Sequence, residues 1–95
     1  MNYEAIALVE VFGEANGILM VDCMLKAAEV RFETEYYWNG GQYTGIFSGS
    51  VSALSAAVEH TKNTLPCRIF ASAVIPAPSE ETGRVLDNWK AGNKI

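Results

Sequence analysis

Three glutamates have the residue type that acid–base chemistry uses. Glu10 lies near the end of an apolar run, and Glu33 and Glu35 stand two residues apart. Two carboxylates can act as general acid and general base, but a site also needs an orienting group and a pocket. Glu33 and Glu35 share one face of a predicted strand, where solvated charge is the ordinary explanation. No histidine or serine dyad accompanies them, so we expect no catalytic residues.

The single histidine and the two cysteines could bind a metal only if their spacing brought them together. Cys23 and Cys67 are far apart in the chain, and His60 lies at the end of a predicted helix near Lys62. This is not the ligand spacing of a zinc site, and cytosolic chains rarely keep structural disulfides. We therefore expect two buried cysteines that act as small hydrophobic residues. We expect no metal, no cofactor and no enzymatic activity.

The composition indicates a small acidic domain that buries part of its surface against other subunits. The chain has 95 residues, 49% of them hydrophobic, and a net charge of -4. Small domains have a high ratio of surface to volume, so this apolar fraction predicts an oligomer. We expect a single domain over 1–95, with its core at about 5–88 and a flexible polar tail.

Charge and hydropathy argue against two classes of partner. The seven Lys and Arg residues are scattered, whereas neutralising phosphates needs clustered cations. No apolar run approaches the ~20 residues that span a bilayer, and the first residues lack the basic start of a secretory signal. We therefore expect no nucleic acid, no membrane and a cytoplasmic location.

Hydrophobic periodicity predicts the first strand and the first helix. Residues 5–11 form a nearly continuous apolar run, typical of an inner strand, and Gly13 ends it. A helical period follows over 14–28. Within it, Gly17 either weakens the first turn or permits the close approach of another element. The apolar stripe predicted to face the core consists of Ile18, Leu19, Val21, Met24, Leu25 and Ala28.

A hairpin is predicted in the middle of the chain. Residues 30–36 alternate between two faces of a strand, and residues 43–47 form the returning strand. Between them, Asn39-Gly40 is the strongest short hairpin signal, because both residues tolerate positive φ. The alternation places Val30, Phe32, Thr34 and Tyr36 on one face of the strand and Arg31, Glu33 and Glu35 on the other.

Turn and cap signals divide the second half of the chain. A serine of the segment 48–50 caps the second helix, and Pro66 opens a last strand that ends before the Pro76-Ala77-Pro78 stop. Ser79 caps a short final helix whose first turn holds two glutamates, as the helix dipole prefers. The inner face of the second helix is predicted to consist of Val51, Leu54, Val58 and Thr61.

The order β-α-β-β-α-β-α predicts an α+β fold. One antiparallel four-stranded sheet with two helices on one face satisfies this order, and the arrangement is the ferredoxin-like βαββαβ sandwich with a short C-terminal helix added. This fold hosts many functions, so it does not identify one.

Several segments in register resemble the hexamer-forming shell proteins of bacterial microcompartments, the BMC domain family. The resemblance covers roughly residues 5–86. It rests on the order and spacing of four short matches. These are AIALVE at 5–10 followed by Gly13, DCMLKAA at 22–28, GSV at 49–51 with Ala53, and VIPAP at 74–78.

The resemblance implies a flat cyclic hexamer that tiles edge to edge with other shell proteins. It places Trp38, Asn39, Gly40 and Gly41 in the loop that lines a central pore for small polar metabolites, and it assigns Lys26 to the edge between hexamers. Encapsulated enzymes are further implied partners, and the location is the microcompartment shell. From the residues alone, an i,i+4 pair with Asp22 explains Lys26 equally well.

The chain departs from the family pattern at two of these positions. Ala77 stands where members usually carry an arginine that inserts across the hexamer edge, which predicts weaker or different tiling. The pore loop follows three aromatic residues, of which Tyr37 and Trp38 are predicted to face opposite sides of the sheet. One would pack between subunits, and the other would stack on a cargo peptide or narrow the pore entrance.

Two other functions remain open at this point. A small oligomeric regulatory module with a ligand-binding hairpin would share the ferredoxin-like fold, and would be stabilised by a metabolite rather than assemble into sheets. A minor shell subunit that docks enzymes is also consistent with Ala77 and the aromatic loop.

Overall fold

The computed structural model describes residues 3–92, in which four strands and three helices follow one another in the predicted order. The predicted polar tail extends into residues 93–95, which lie outside the described residues. The strands are β1 (Ala5–Phe12), β2 (Arg31–Tyr37), β3 (Gln42–Gly49) and β4 (Ile69–Pro76), and the helices are α1 (Glu14–Ala27), α2 (Val51–Thr64) and α3 (Glu80–Lys90).

The four strands form one antiparallel sheet in the order β2-β3-β1-β4. Alternate residues of β1 point to opposite faces. Ala7 and Val9 pack with Met20 of α1 and Leu54 of α2, so both helices cover the same face. Ile6 packs on the other face with residues of β3 and α3. The predicted α+β fold with a four-stranded antiparallel sheet is confirmed.

Helix α1 buries only part of its predicted inner face. Met24 is fully buried and Val21 and Ala28 pack against the core, as predicted. Ile18 is 62% exposed and Leu25 is 43% exposed, and Met20, which was not predicted, is fully buried. The helix rests on the sheet through Gly17, where a Cβ atom would lie 2.3 Å from the ring of Tyr43. Of the two alternatives for Gly17, this contact supports the close approach. It also leaves Ile18 and Leu25 on the outer side of the helix, and the flexible methionines fill the space beneath it.

Strand β2 does not alternate strictly, because its pairing with β3 contains a β-bulge. Phe32 pairs with Phe47 and Thr34 pairs with Ile46, so Glu33 is the extra residue. The bulge places Phe32 and Thr34 on opposite faces of the sheet. The predicted single polar face is therefore wrong.

The turn between β2 and β3 is a hairpin, as predicted, but its geometry differs from the expected one. The N–H of Gly41 donates to the carbonyl of Trp38 at 2.9 Å, and positive φ occurs at Gly41 (+95°) rather than at Asn39 or Gly40. This is the pattern of a type I turn followed by a left-handed residue. The backbone of Gly41 is therefore the part of the loop that requires glycine.

Both predicted serine caps are confirmed. Ser50 Oγ accepts a hydrogen bond from the N–H of Ala53 at 3.1 Å, and Ser79 Oγ accepts one from Thr82 at 3.2 Å. The inner face of α2 contains the predicted Leu54, Val58 and Thr61 together with Ala57, while Val51 is 41% exposed. No helix in residues 3–92 is long and apolar enough to span a membrane.

Candidate functional site

Backbone hydrogen bonds hold the hairpin loop between β2 and β3, the predicted pore loop. The N–H of Trp38 donates to the carbonyl of Gln42 at 2.8 Å, and the carbonyl of Gly41 accepts from the N–H of Gly13 at 2.7 Å. The Gly41 N–H is already used within the turn. The loop is therefore fastened both to its own strands and to the junction between β1 and α1.

Tyr37, the last residue of β2, and Trp38, the first residue of the loop, face opposite sides of the sheet, which confirms that prediction. The Trp38 indole N–H donates to Thr44 Oγ1 at 3.1 Å, and its ring centroid lies 4.2 Å from that of Tyr36. Tyr37 contacts Tyr43 edge to face on the side covered by α1 and α2, with 6.4 Å between ring centroids. Trp38 is 39% exposed and Tyr37 is 49% exposed, so both remain accessible at the end of the sheet.

Two adjoining grooves lie beside this loop on the sheet face that carries α3. The first has a volume of about 470 Å³ and a mixed polar and apolar lining. The second has a volume of about 420 Å³ and is largely apolar, with Leu8, Ile75 and Trp89 in its wall. Glu10 and Trp38 line both grooves. The remaining lining of the first groove consists of Tyr36, Tyr37, Asn39, Gly40 and Gln42.

The two residues predicted at the hexamer edge lie toward the end of the sheet opposite the loop. The pairs Ala5–Gly49 and Ala5–Pro76 mark that end, and Ala77 directly follows it. Lys26 lies at the last turn of α1, shortly before β2 begins there. Strands of eight residues separate the two ends by about 25 Å.

Lys26 forms the i,i+4 pair with Asp22 that the sequence suggests. The distance between Lys26 Nζ and the Asp22 carboxylate is 2.8 Å, and the exposed fractions of the two side chains are 76% and 57%. The hydrogen bond that Lys26 donates to Asp22 raises the pKa of Lys26. Ala77 has a φ of +44°, an uncommon backbone conformation for alanine, and its N–H donates to the carbonyl of Glu4 at 2.9 Å.

The two glutamates of β2 have structural partners on opposite faces of the sheet. Glu33 has a 6% exposed side chain that accepts from Lys90 Nζ at 2.7 Å and from the Ser48 hydroxyl. Burial raises its pKa, but these hydrogen bonds outweigh burial and lower the pKa below its usual value. Glu35 accepts a hydrogen bond from the Tyr43 hydroxyl; burial and this bond raise the pKa of Tyr43.

The histidine and the cysteines are not brought together. His60 Nε2 lies 3.3 Å from Thr64 Oγ1, on the exposed side of α2. Cys23 and Cys67 are free and half-buried, so they are less enclosed than predicted. Within residues 3–92, no three His, Cys, Asp or Glu side chains are placed to hold a metal ion.

Two exposed apolar patches, which the sequence did not identify, lie on opposite flanks of the sheet. The β2 flank patch consists of Ile18, Leu25 and Phe32, and borders a cavity of about 290 Å³. The β4 flank patch consists of Phe12 and Phe70, whose ring centroids are 6.3 Å apart. For the β2 flank patch, the sequence does contain one indication. The apolar stripe on α1 is wider than the face that a single buried side of a helix can hold.

The model of the BMC domain family matches residues 5–78, which is most of the chain. The chain belongs to the BMC domain family. Proteins of this family build the shells of bacterial microcompartments and are structural rather than enzymatic, so the matched region is a shell domain.

A solved structure supports the same assignment. The structure is similar to the crystal structure of a microcompartments protein from Desulfitobacterium hafniense DCB, with 28% sequence identity and a TM-score of 0.76. The match covers 96% of this chain but 49% of that chain, so this chain spans about half the length of the relative. No curated protein sequence matches the chain.

Proposed function

We propose that six copies of this chain form a closed ring in a microcompartment shell, with the Trp38–Gly41 loops around a central pore for small polar metabolites. Rings of this kind would tile edge to edge, with each other or with other shell proteins, through the end of the subunit that holds Lys26 and Ala77. Encapsulated enzymes would lie on one side of the layer. The proposal goes beyond family membership, and the following features of the described residues support it.

The observation that carries the proposal is that the two apolar flank patches differ. The β2 flank patch is aliphatic and aromatic, formed by Ile18, Leu25 and Phe32, whereas Phe12 and Phe70 form the β4 flank patch. An isologous dimer would bury one patch against its own copy and leave the other in water. A head-to-tail contact between unlike patches buries both on every subunit, and it generates a ring when the rotation closes.

Charge at the two flanks is complementary. Asp22 and Glu35 line the cavity of the β2 flank. Arg68 lies over the ring of Phe70 on the β4 flank, with 5.4 Å between its guanidinium carbon and the ring centroid. Asp22 is paired with Lys26 in its own subunit. Contact between unlike flanks would therefore place Arg68 near the carboxylate of Glu35. Contact between like flanks would instead bring two copies of Glu35, or two copies of Arg68, together.

The position of the loop in the subunit fits a place at the centre of the ring. The loop lies at one end of the sheet, and Lys26 and Ala77 lie toward the other, about 25 Å away. A ring that placed all six loops at its centre would place all six copies of Lys26 at its rim. Gly40 and Gly41 add no side chain at the narrow point, so backbone groups and Trp38 would set the width of the opening.

The contacts between the rims of neighbouring rings would be less specific than is usual in the family. Ala77 offers no side-chain donor, and Lys26 is engaged by Asp22 within its own subunit. An edge contact through Lys26 must compete with this exposed pair, which is worth only a few tenths of a kcal/mol. We therefore expect rings to form more readily than extended sheets of this chain alone.

Paired variants test the head-to-tail arrangement. Ile18→Asp disables the β2 flank and Phe70→Asp disables the β4 flank, and Val51→Asp is a matched control on exposed apolar surface outside both patches. In the head-to-tail ring each flank variant alone is a monomer, and a mixture of the two forms dimers of one copy each through the remaining intact contact. Sedimentation velocity measures all four samples.

Two other results would contradict the head-to-tail arrangement. If Ile18→Asp alone still dimerises, the β4 flank pairs with itself and the ring is wrong. If both variants assemble as the Val51→Asp control does, neither flank is an interface.

A further inference from the structure

We propose that Glu10 and Trp38 form a binding site for a small organic cation that carries an alkyl group. The site lies where the two grooves beside the loop meet, because these two residues line both of them. Binding at this site needs only one subunit. Its position near a central opening rests on the proposed function, but the binding itself does not.

Glu10 has no neutralising partner among residues 3–92. The residue is half-buried on β1, and within this part of the chain its side chain has neither an ion pair nor a hydrogen bond. Glu33, on the same side of the sheet, is by contrast paired with Lys90 and Arg31. A carboxylate in the wall of a groove, without a counter-charge of its own, can attract a cation that enters the groove.

The aromatic residues beside Glu10 favour the same class of ligand. Trp38 is held rigidly, since its indole N–H is bonded to Thr44 and its ring packs against Tyr36. The face of an indole ring attracts ammonium groups, and recognition of alkylated ammonium ligands by aromatic residues is a common use of this attraction. The side-chain oxygen of Gln42 also lies at this groove, where it extends over Gly40 and can accept a hydrogen bond from an N–H of the ligand.

The second groove indicates that the cation carries an apolar group. Its wall is formed by Leu8, Ile75 and Trp89, with small alanines of β4 between them, and it begins at Glu10. An alkyl chain lying there would leave water while its ammonium group stays beside the carboxylate. A bare metal ion is a poor fit, because one carboxylate supplies too few ligands for a stable site. An anion would be repelled by Glu10.

A titration with three small molecules of similar size tests this site. Butylammonium is the cation, 1-butanol is its neutral counterpart and pentanoate is its anionic counterpart, and tryptophan fluorescence of the whole chain reports binding near Trp38 and Trp89. We expect saturable binding of butylammonium in the millimolar range, because one cation–π contact and one ion pair at a partly exposed site are weak. We expect no comparable binding of the alcohol or the acid.

Two variants that each remove one negative charge distinguish binding at Glu10 from attraction to the net charge of the protein. Glu10→Gln should weaken butylammonium binding about fivefold, since it removes one partly exposed ion pair. Glu59→Gln makes the same change of charge on the exposed side of α2 and should leave binding unchanged. Sedimentation of each variant shows whether the ring persists, so a failure to bind is distinguished from a failure to assemble.

Either of two results overturns the proposal. The first is that 1-butanol binds as tightly as butylammonium, which would mean that the groove recognises only the alkyl chain. The second is that butylammonium does not bind, or that Glu10→Gln and Glu59→Gln weaken it equally.

Discussion

Replacing Gly17 by alanine tests how α1 lies on the sheet. The added Cβ would lie 2.3 Å from the ring of Tyr43, whereas ordinary carbon contacts are about 3.5–4.0 Å. The helix or the ring would therefore have to move by more than about 1 Å. Tyr43 is 3% exposed and its hydroxyl is bonded to Glu35, so the ring has little room to move.

Two effects of opposite sign set the size of the change. Overpacking a filled core costs about 1–3 kcal/mol, while alanine in place of glycine favours a helix by about 1 kcal/mol. We expect Gly17→Ala to lower the free energy of unfolding by about 1 kcal/mol, because the clash outweighs the gain in helix propensity. In a domain of this size the melting temperature should fall by about 4–8 °C.

Thermal unfolding followed by circular dichroism measures this change, at one fixed protein concentration because assembly shifts the apparent stability. The matched background is Tyr43→Ala, in which the ring is gone and Gly17→Ala should raise the melting temperature through helix propensity alone. The two backgrounds should differ by about 2 kcal/mol, which is the coupling between the two positions. A higher melting temperature for Gly17→Ala in the natural background would refute the contact between Gly17 and Tyr43.

Three further perturbations address the second face of the sheet, a helix cap and the loop. The partners of Glu33 lower its pKa in the folded state, so its stabilising effect is complete above the unfolded pKa of about 4.3 and is lost as the pH falls through the lower folded value. Because Lys90 and Trp89 both belong to α3, we expect the fluorescence of Trp89 to change as this pair is lost on acidification, and this change should be smaller in Glu33→Gln. Ser50→Ala should cost about 1 kcal/mol in thermal unfolding because it removes the cap of α2, while the exposed control Ser55→Ala should cost little. Gly40→Leu should slow the passage of small metabolites into assembled shells, and an unchanged flux would contradict the assignment of the loop to the pore.

The order of elements and their ends could be predicted from the sequence because these signals are local. The serines at positions 50 and 79 cap the helices that follow them, and the apolar run of β1 forms a strand between two others. The hairpin at Asn39-Gly40 was also predicted, since a turn depends on a few adjacent residues. Its left-handed residue is nevertheless Gly41, because the loop is one step longer than a two-residue turn.

The orientation of α1 and the bulge of β2 could not be predicted because both depend on distant contacts. Periodicity reports which stripe of a helix is most apolar, but Gly17 meets Tyr43 only after β3 is in place. In the same way, nothing near Glu33 in the sequence shows that β3 pairs around it. The outward apolar residues of α1, Ile18 and Leu25, were therefore assigned to the core, although in the subunit they form part of an exposed patch.

Only part of the candidate site could be predicted, because the rest of it also depends on contacts between residues that are distant in the sequence. The loop 38–41 is a local feature and lies where the sequence places it, whereas the grooves beside it combine residues of all four strands and α3. Glu10 was considered only as a catalytic acid, because its distance in the sequence from Trp38 hides their shared position in the fold.

The native mass in solution tests the central claim most directly. Sedimentation equilibrium of the whole chain at micromolar concentration should give about 62 kDa, six times the subunit mass of 10.3 kDa. A stable species of one or three subunits would contradict the closed ring of six and, with it, the assignment of the Trp38–Gly41 loop to a central pore.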